Sequence, residues 1–158
     1  MAIGERIKRI RLMRGMTLKY LGEAVGFPAN NADVRMAQYE KGTRSPKADL
    51  TKQIADVLGV APEALDVPNI ESYIGVMHTL FALEDNYGLK IDKLDGEVCI
   101  RLDKDSPDFK NMLEMFLAWE QQAAKLRSGE ITQEQYDDWR YNYPNSDTSG
   151  AFHKITKL

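Results

Sequence analysis

Apolar positions in the first 65 or so residues recur at helical spacing and are cut into short runs by glycine and proline. Ile7 and Ile10, with Leu12 or Met13, predict an inward face for a first helix over about 3–14. Leu18, Leu21 and Val25 share one face of a second helix, with Thr17 as its N-cap and Gly26 as its stop. After a polar turn, residues 34–40 make a third helix that turns Met36 and Tyr39 inward and closes at Gly42. Pro46 stands near the start of a fourth helix through Leu50, Ile54 and Leu58, which ends at Gly59. Residues 61–65 open a short fifth. This pattern predicts a compact five-helix domain.

The pattern changes after Asp66-Val67-Pro68-Asn69. Proline disfavours helix at the residue before it, and Asn69 can cap the next helix. That helix, over 70–87, carries Tyr73, Ile74, Met77, Leu80, Phe81 and Leu83, more apolar positions than one narrow stripe needs, and Gly88 ends it. The run LKIDKLDGEVCIRLD then alternates as a hairpin does. Asp95-Gly96 is its turn, because both residues tolerate positive φ. That register sets Leu94 opposite Glu97 and Ile91 opposite Ile100. One face is then Leu89, Ile91, Val98, Ile100 and Leu102, relieved only by Lys93. A lone two-stranded ribbon is marginal, so this face is expected to pack on helices. Ser106 and Pro107 open a further helix that Ser128-Gly129 closes. Thr132 caps a last one, with Gln135 completing a capping box and Pro144 stopping it. The expected organisation is a helical domain over 1–67, an α+β domain over 68–144 and a mobile tail over 145–158. The fold class is mainly α.

The second and third helices form a pair joined by a turn. Such a pair can set its second helix against the major groove of DNA. Its residues are Arg11, Gly15, Thr17, Leu21 and Gly26, then Tyr39-Glu40-Lys41-Gly42, Arg44 and Pro46, then Leu50, Ala55, Leu58 and Gly59. In this order and spacing the first 65 or so residues resemble the helix-turn-helix domain of the Cro-type phage repressors, the XRE regulator family. The resemblance implies a lambda-repressor-like domain that binds double-stranded DNA. It also implies that Arg11 and Glu40 form a salt bridge between the first and third helices. Two departures stand out. The stretch from Gly26 to Tyr39 is longer than the family uses, so Pro28-Ala29-Asn30-Asn31 reads as an insertion in the turn. Leu18 stands where many members carry a glutamine that contacts DNA.

If the third helix enters the groove, Asp33, Arg35 and Gln38 are the candidates for its outer face. Arginine can pair bidentately with guanine and glutamine with adenine. Asn30 and Asn31, just before it, are candidates for a base edge or a phosphate, or else serve only the turn and the cap. Thr17, Lys19, Lys41, Thr43, Arg44 and Lys47 flank this reader and suit phosphate contacts, which position without reading sequence.

Charge agrees with this placement. The 158 residues carry a net charge of −3, but residues 1–47 hold ten Lys/Arg against four Asp/Glu, a balance of +6. The rest is acidic, at −9. Attraction to phosphate is local, so the basic part is the part expected on DNA. No apolar run is long enough for a membrane span and no secretory leader is visible, and the single Cys99 excludes an internal disulfide. A cytoplasmic protein is expected. His78 and His153 have no partner at metal-ligand spacing, and Cys99 has no histidine base near it in sequence. Neither a metal, a cofactor nor an enzyme is expected. Trp119, Tyr136, Trp139, Tyr141 and Tyr143 leave three readings open: core, interface or small-ligand pocket. The regulator, expected as a repressor, is read as a homodimer through its second domain. The alternative is an interaction module, of antitoxin or inhibitor kind, that uses its first domain for autoregulation. Its second domain would then hold a protein partner.

Overall fold

The structure, a computed structural model, describes residues 2–68 and 70–151. Four helices come first: α1 (Ala2–Met13), α2 (Leu18–Ala24), α3 (Ala32–Glu40) and α4 (Ala48–Leu58). The fifth helical segment is a single 3-10 turn, Pro62–Ala64. Then come α5 (Tyr73–Tyr87), an antiparallel pair β1 (Leu89–Leu94) and β2 (Glu97–Leu102), α6 (Phe109–Ser128) and α7 (Gln133–Tyr141). The fold is mainly α, a helix-turn-helix domain followed by an α+β region. The chain forms two compact units. The first runs to Glu71 and also takes in Arg140–Asn142; the second holds Ser72–Trp139 and the residues from Tyr143.

In the first unit, Ile7, Ile10, Leu21, Met36, Ile54, Leu58 and Leu65 are fully buried and form one core. Burial of that kind is the main stabilising term, at about 1.5–3 kcal/mol for each such side chain. Leu12 and Met13, candidates for the inner face of α1, are exposed instead. At 100° per residue, Leu12 lies well round the helix from Ile7, and the inward place falls to Arg11. Tyr141 is also in this core. Its carbonyl accepts the Ala61 N–H at 2.9 Å, and the Arg6 guanidinium lies 5.5 Å from its ring centroid.

Two glycines set how closely the helices meet. A Cβ on Gly22 would come within 2.4 Å of the Ala32 carbonyl oxygen, and one on Gly4 within 2.4 Å of the Tyr39 carbonyl oxygen. Only glycine lets α2 approach the start of α3, and α1 its end, at these distances.

In the second unit the hairpin has the expected register, Leu94 opposite Glu97, Ile91 opposite Ile100 and Leu89 opposite Leu102. Asp95 (φ 51°) and Gly96 (φ 85°) make the turn. Its apolar face does not pack as expected. Leu102 is buried and Leu89 half-buried, but Ile91, Val98 and Ile100 are exposed. The burial falls where the strands enter and leave, and the strands run on beyond it to the turn. Helix α5 starts at Tyr73, with the Ser72 hydroxyl accepting the Gly75 N–H at 3.0 Å. The other candidate cap, Asn69, lies outside the described residues. Helix α6 starts two residues later than Pro107 suggests, because the Phe109 N–H bonds back to the Ser106 carbonyl in a tight turn. The capping box of α7 is present: the Gln135 N–H bonds to the Thr132 hydroxyl at 3.2 Å, and the Thr132 N–H to the Gln135 side chain at 2.9 Å. The aromatics part company. Trp119 donates to the Tyr136 hydroxyl at 2.7 Å, Trp139 packs on Tyr143 at 5.4 Å, and Tyr141 belongs to the first unit. Residues 145–151 are held locally, with the Ser149 N–H and hydroxyl both bonded to Asp147 and Ala151 buried; 152–158 lie outside the described residues. Among the described residues, no helix is long and apolar enough to cross a membrane.

Candidate DNA-binding interface

The turn between α2 and α3 contains Pro28-Ala29-Asn30-Asn31. The Asn31 N–H bonds to the Pro28 carbonyl at 3.0 Å, and the Phe27 N–H to the Gly22 carbonyl at 2.9 Å. Helix α3 then begins at Ala32, two residues earlier than its apolar spacing suggests, because buried Ala32 anchors its first turn.

Arg11 fixes the other end of α3. Its guanidinium forks onto Glu40, Nε to Oε1 at 2.5 Å and Nη2 to Oε2 at 2.9 Å, and Nη1 donates to the Met16 carbonyl at 2.7 Å. Both side chains are buried, so the pair is dry and bidentate. The Glu40 hydrogen bond holds the Arg11 guanidinium above the ordinary arginine range, more than burial lowers it. The ion pair implied by the family resemblance is thus in place, and it links α1, the α1–α2 turn and the C-terminal end of α3.

The candidate readers fall in three groups. Asp33 is exposed on the first turn of α3. Gln38 is half-buried, and its carbonyl accepts the Arg44 N–H at 3.2 Å. Arg35 is half-buried with its guanidinium 4.1 Å from the Phe27 ring centroid, and Phe27 stacks on Tyr39 at 6.0 Å. A cation held over a ring at such a distance gains roughly 0.5–1 kcal/mol, little enough for a base edge to replace. Asn30 and Asn31 are exposed in the turn. Asn31 occupies the N-cap of α3, yet its side chain makes no capping bond.

The phosphate candidates lie at the start of α2 and beyond the end of α3. Thr17 caps α2, its hydroxyl accepting the Tyr20 N–H at 3.0 Å, which leaves its own proton available to donate. Lys19 lies 3.8 Å from Glu23, a loose and exposed pair of small energetic weight. Lys41, Thr43, Arg44 and Lys47 line the exit from α3; of these Lys41, Thr43 and Arg44 are the residues nearest its end.

Two positions lie on this face that residue chemistry did not single out. Val34 is 55% exposed on the first turn of α3. Ala37, one turn on, lines a shallow depression with Lys8, Leu18 and Lys41. Small apolar side chains carry no hydrogen-bonding signature, so they stay silent in a search for polar readers. Val34 is exposed and Ala37 half-buried, and small apolar side chains of this kind can contact a thymine methyl.

Four short helices around one core, with α2 and α3 locked at a near-backbone contact, define a helix-turn-helix domain. Comparison with known proteins agrees: residues 7–65 match the family model described as Helix-turn-helix. Among solved structures the chain is similar to the crystal structure of the transcriptional regulator BswR, at 27% identity over 72% of this chain and 90% of that one, with a TM-score of 0.42. No curated protein matches the chain.

Proposed function

We propose that the protein is a sequence-specific regulator of transcription, a repressor, that binds double-stranded DNA through α2 and α3 as a homodimer held by its second unit. One observation carries the reading: α3 is fixed at both ends, by Gly22 against Ala32 and by Arg11 against Glu40, while its outer face stays open in the most basic part of the chain. Asp33, Val34, Arg35 and Gln38 read bases, with Asn30 and Asn31 at the entry. Thr17, Lys19, Lys41, Thr43, Arg44 and Lys47 hold phosphates. One short helix reads few base pairs, and a dimer doubles the site, with half-sites about one helical turn apart.

Selection from random duplexes, with binding then measured across a range of salt concentrations, tests this. The expected product is an inverted repeat whose affinity falls linearly on log–log axes with salt. A salt-independent affinity, or no binding at low salt, refutes DNA binding. A selected site without inverted symmetry refutes the dimer on DNA.

A further inference from the structure

The second unit carries an apolar surface that stays exposed among the described residues. Helix α5 has no buried residue in its fifteen positions. Tyr73 is 91% exposed and Ile74 69%, and Met77 and Phe81 continue the stripe one and two turns on. The middle of the hairpin is equally bare, with Ile91 66% and Val98 67% exposed, and Ile100 beside them. Met77, Leu80, Phe81, Leu89, Ile91 and Ile100 line a single groove between helix and hairpin, so stripe and sheet face form one surface. The other face of the hairpin differs. There Arg101 pairs with Asp92, and Lys90 with Asp103 at 3.1 Å.

We infer that the groove between α5 and the hairpin, with its exposed rims, is the surface on which a second copy of this chain docks. The inference rests on the homodimer reading above and assigns its interface. Three features select a second copy. The first is area. Seven apolar side chains exposed at roughly 100 Å² each offer about 700 Å², within the range that one partner brings to an interface of standard size. Monomers rarely leave so large a patch open. The second is shape. A two-fold contact needs a surface complementary to itself, and here a groove (Met77, Phe81, Ile91) adjoins further exposed side chains (Tyr73, Val98) of the same apolar character. The third is charge. Lys93 on the sheet face and Glu84 on the groove wall are exposed and of opposite sign, so two copies bring a cation and a carboxylate each and no net repulsion.

The test uses the full chain and sedimentation at micromolar concentration. The wild type is expected to be a dimer. Ile91→Glu with Val98→Glu is expected to weaken it at least a hundredfold. These substitutions fall on exposed strand positions, and Val98→Glu stands opposite Lys93, where a cross-strand pair of opposite sign supports the hairpin. If that variant loses its helical signal, Tyr73→Glu with Ile74→Glu asks the same question. Acidic residues in the first turn of α5 favour the helix. Leu117→Glu, exposed on α6, is expected to leave the dimer intact. A wild type that stays monomeric refutes the homodimer. A dimer that survives the folded hairpin and α5 variants, or one broken by Leu117→Glu, refutes this surface. Binding of a single half-site duplex is measured in parallel. If the wild type binds none, the DNA reading fails, whatever the state of assembly.

Discussion

On the proposed function, Arg35 is the side chain held ready for a base. Its guanidinium rests over Phe27, which in turn rests on Tyr39. The stack limits the rotamers that a long side chain would lose on binding, a cost of about 0.5–1.5 kcal/mol for each one immobilised. Arg35→Ala is expected to cost about 1–3 kcal/mol at the preferred site and to relax preference at one base pair. Lys41→Ala is expected to weaken all sequences alike and to reduce the salt slope by about one. Competitive binding to a small panel of single-base variants separates the two. If Arg35→Ala lowers every affinity equally, Arg35 packs the domain and does not read bases. Arg11 is the opposite case. Removing one member of a buried pair strands the other charge, so Arg11→Met is expected to lower stability by about 3–5 kcal/mol, read from urea unfolding.

Between elements, the position of α3 depends on atoms that are absent. Gly22 has no Cβ, and one would lie 2.4 Å from the Ala32 carbonyl oxygen and 2.8 Å from its carbon. Both obstacles are backbone, so they cannot rotate aside. In an ordinary helix, Gly→Ala stabilises by about 1 kcal/mol. Here, overpacking of about 1–3 kcal/mol opposes that gain. Gly22→Ala is therefore expected to lower the melting temperature of the domain and to weaken specific more than non-specific DNA binding, because α3 is displaced against the bases. An unchanged or raised melting temperature would show that α2 and α3 can separate freely.

For the chain as a whole, the first unit is completed from far along the sequence. Tyr141 is buried in its core, and its backbone bonds Ala61. A chain stopped at Val67 therefore lacks part of the core of its first unit. Removing a buried aromatic costs about 3–5 kcal/mol, so Tyr141→Ala and a chain ending at Trp139 are both expected to destabilise the helix-turn-helix domain by an amount of that order. Tyr141→Phe, which keeps the ring, is expected to retain most of the stability. Thermal unfolding, together with hydrogen exchange at α2 and α3, measures it. Unaltered protection in the shortened chain would make Tyr141 dispensable.

Patterns that repeat over a few residues were readable without coordinates. The spacing of Ile7, Ile10, Leu21, Met36, Ile54 and Leu58 marked the core, because a helix brings positions three and four apart to one side whatever surrounds it. Asp95-Gly96 fixed the hairpin register, because a two-residue turn leaves the strands no choice of partner. The Thr132–Gln135 box came from side chains reaching their own backbone. Features that depend on what lies across a gap in sequence were not readable in this way. Gly4 and Gly22 look like weak helix residues until the carbonyls opposite them are placed. Leu12, expected inward by its spacing, is exposed, while Arg11 is buried, which is tolerable because Glu40 arrives to meet it. The bare face of the hairpin, Ile91 and Val98, reads in sequence as ordinary core, since alternation says which residues share a face and nothing about what covers it. Tyr141 sits on the last helix by local pattern and in the first core by tertiary packing, because burial is settled by the nearest apolar surface in space and not by the nearest one along the chain.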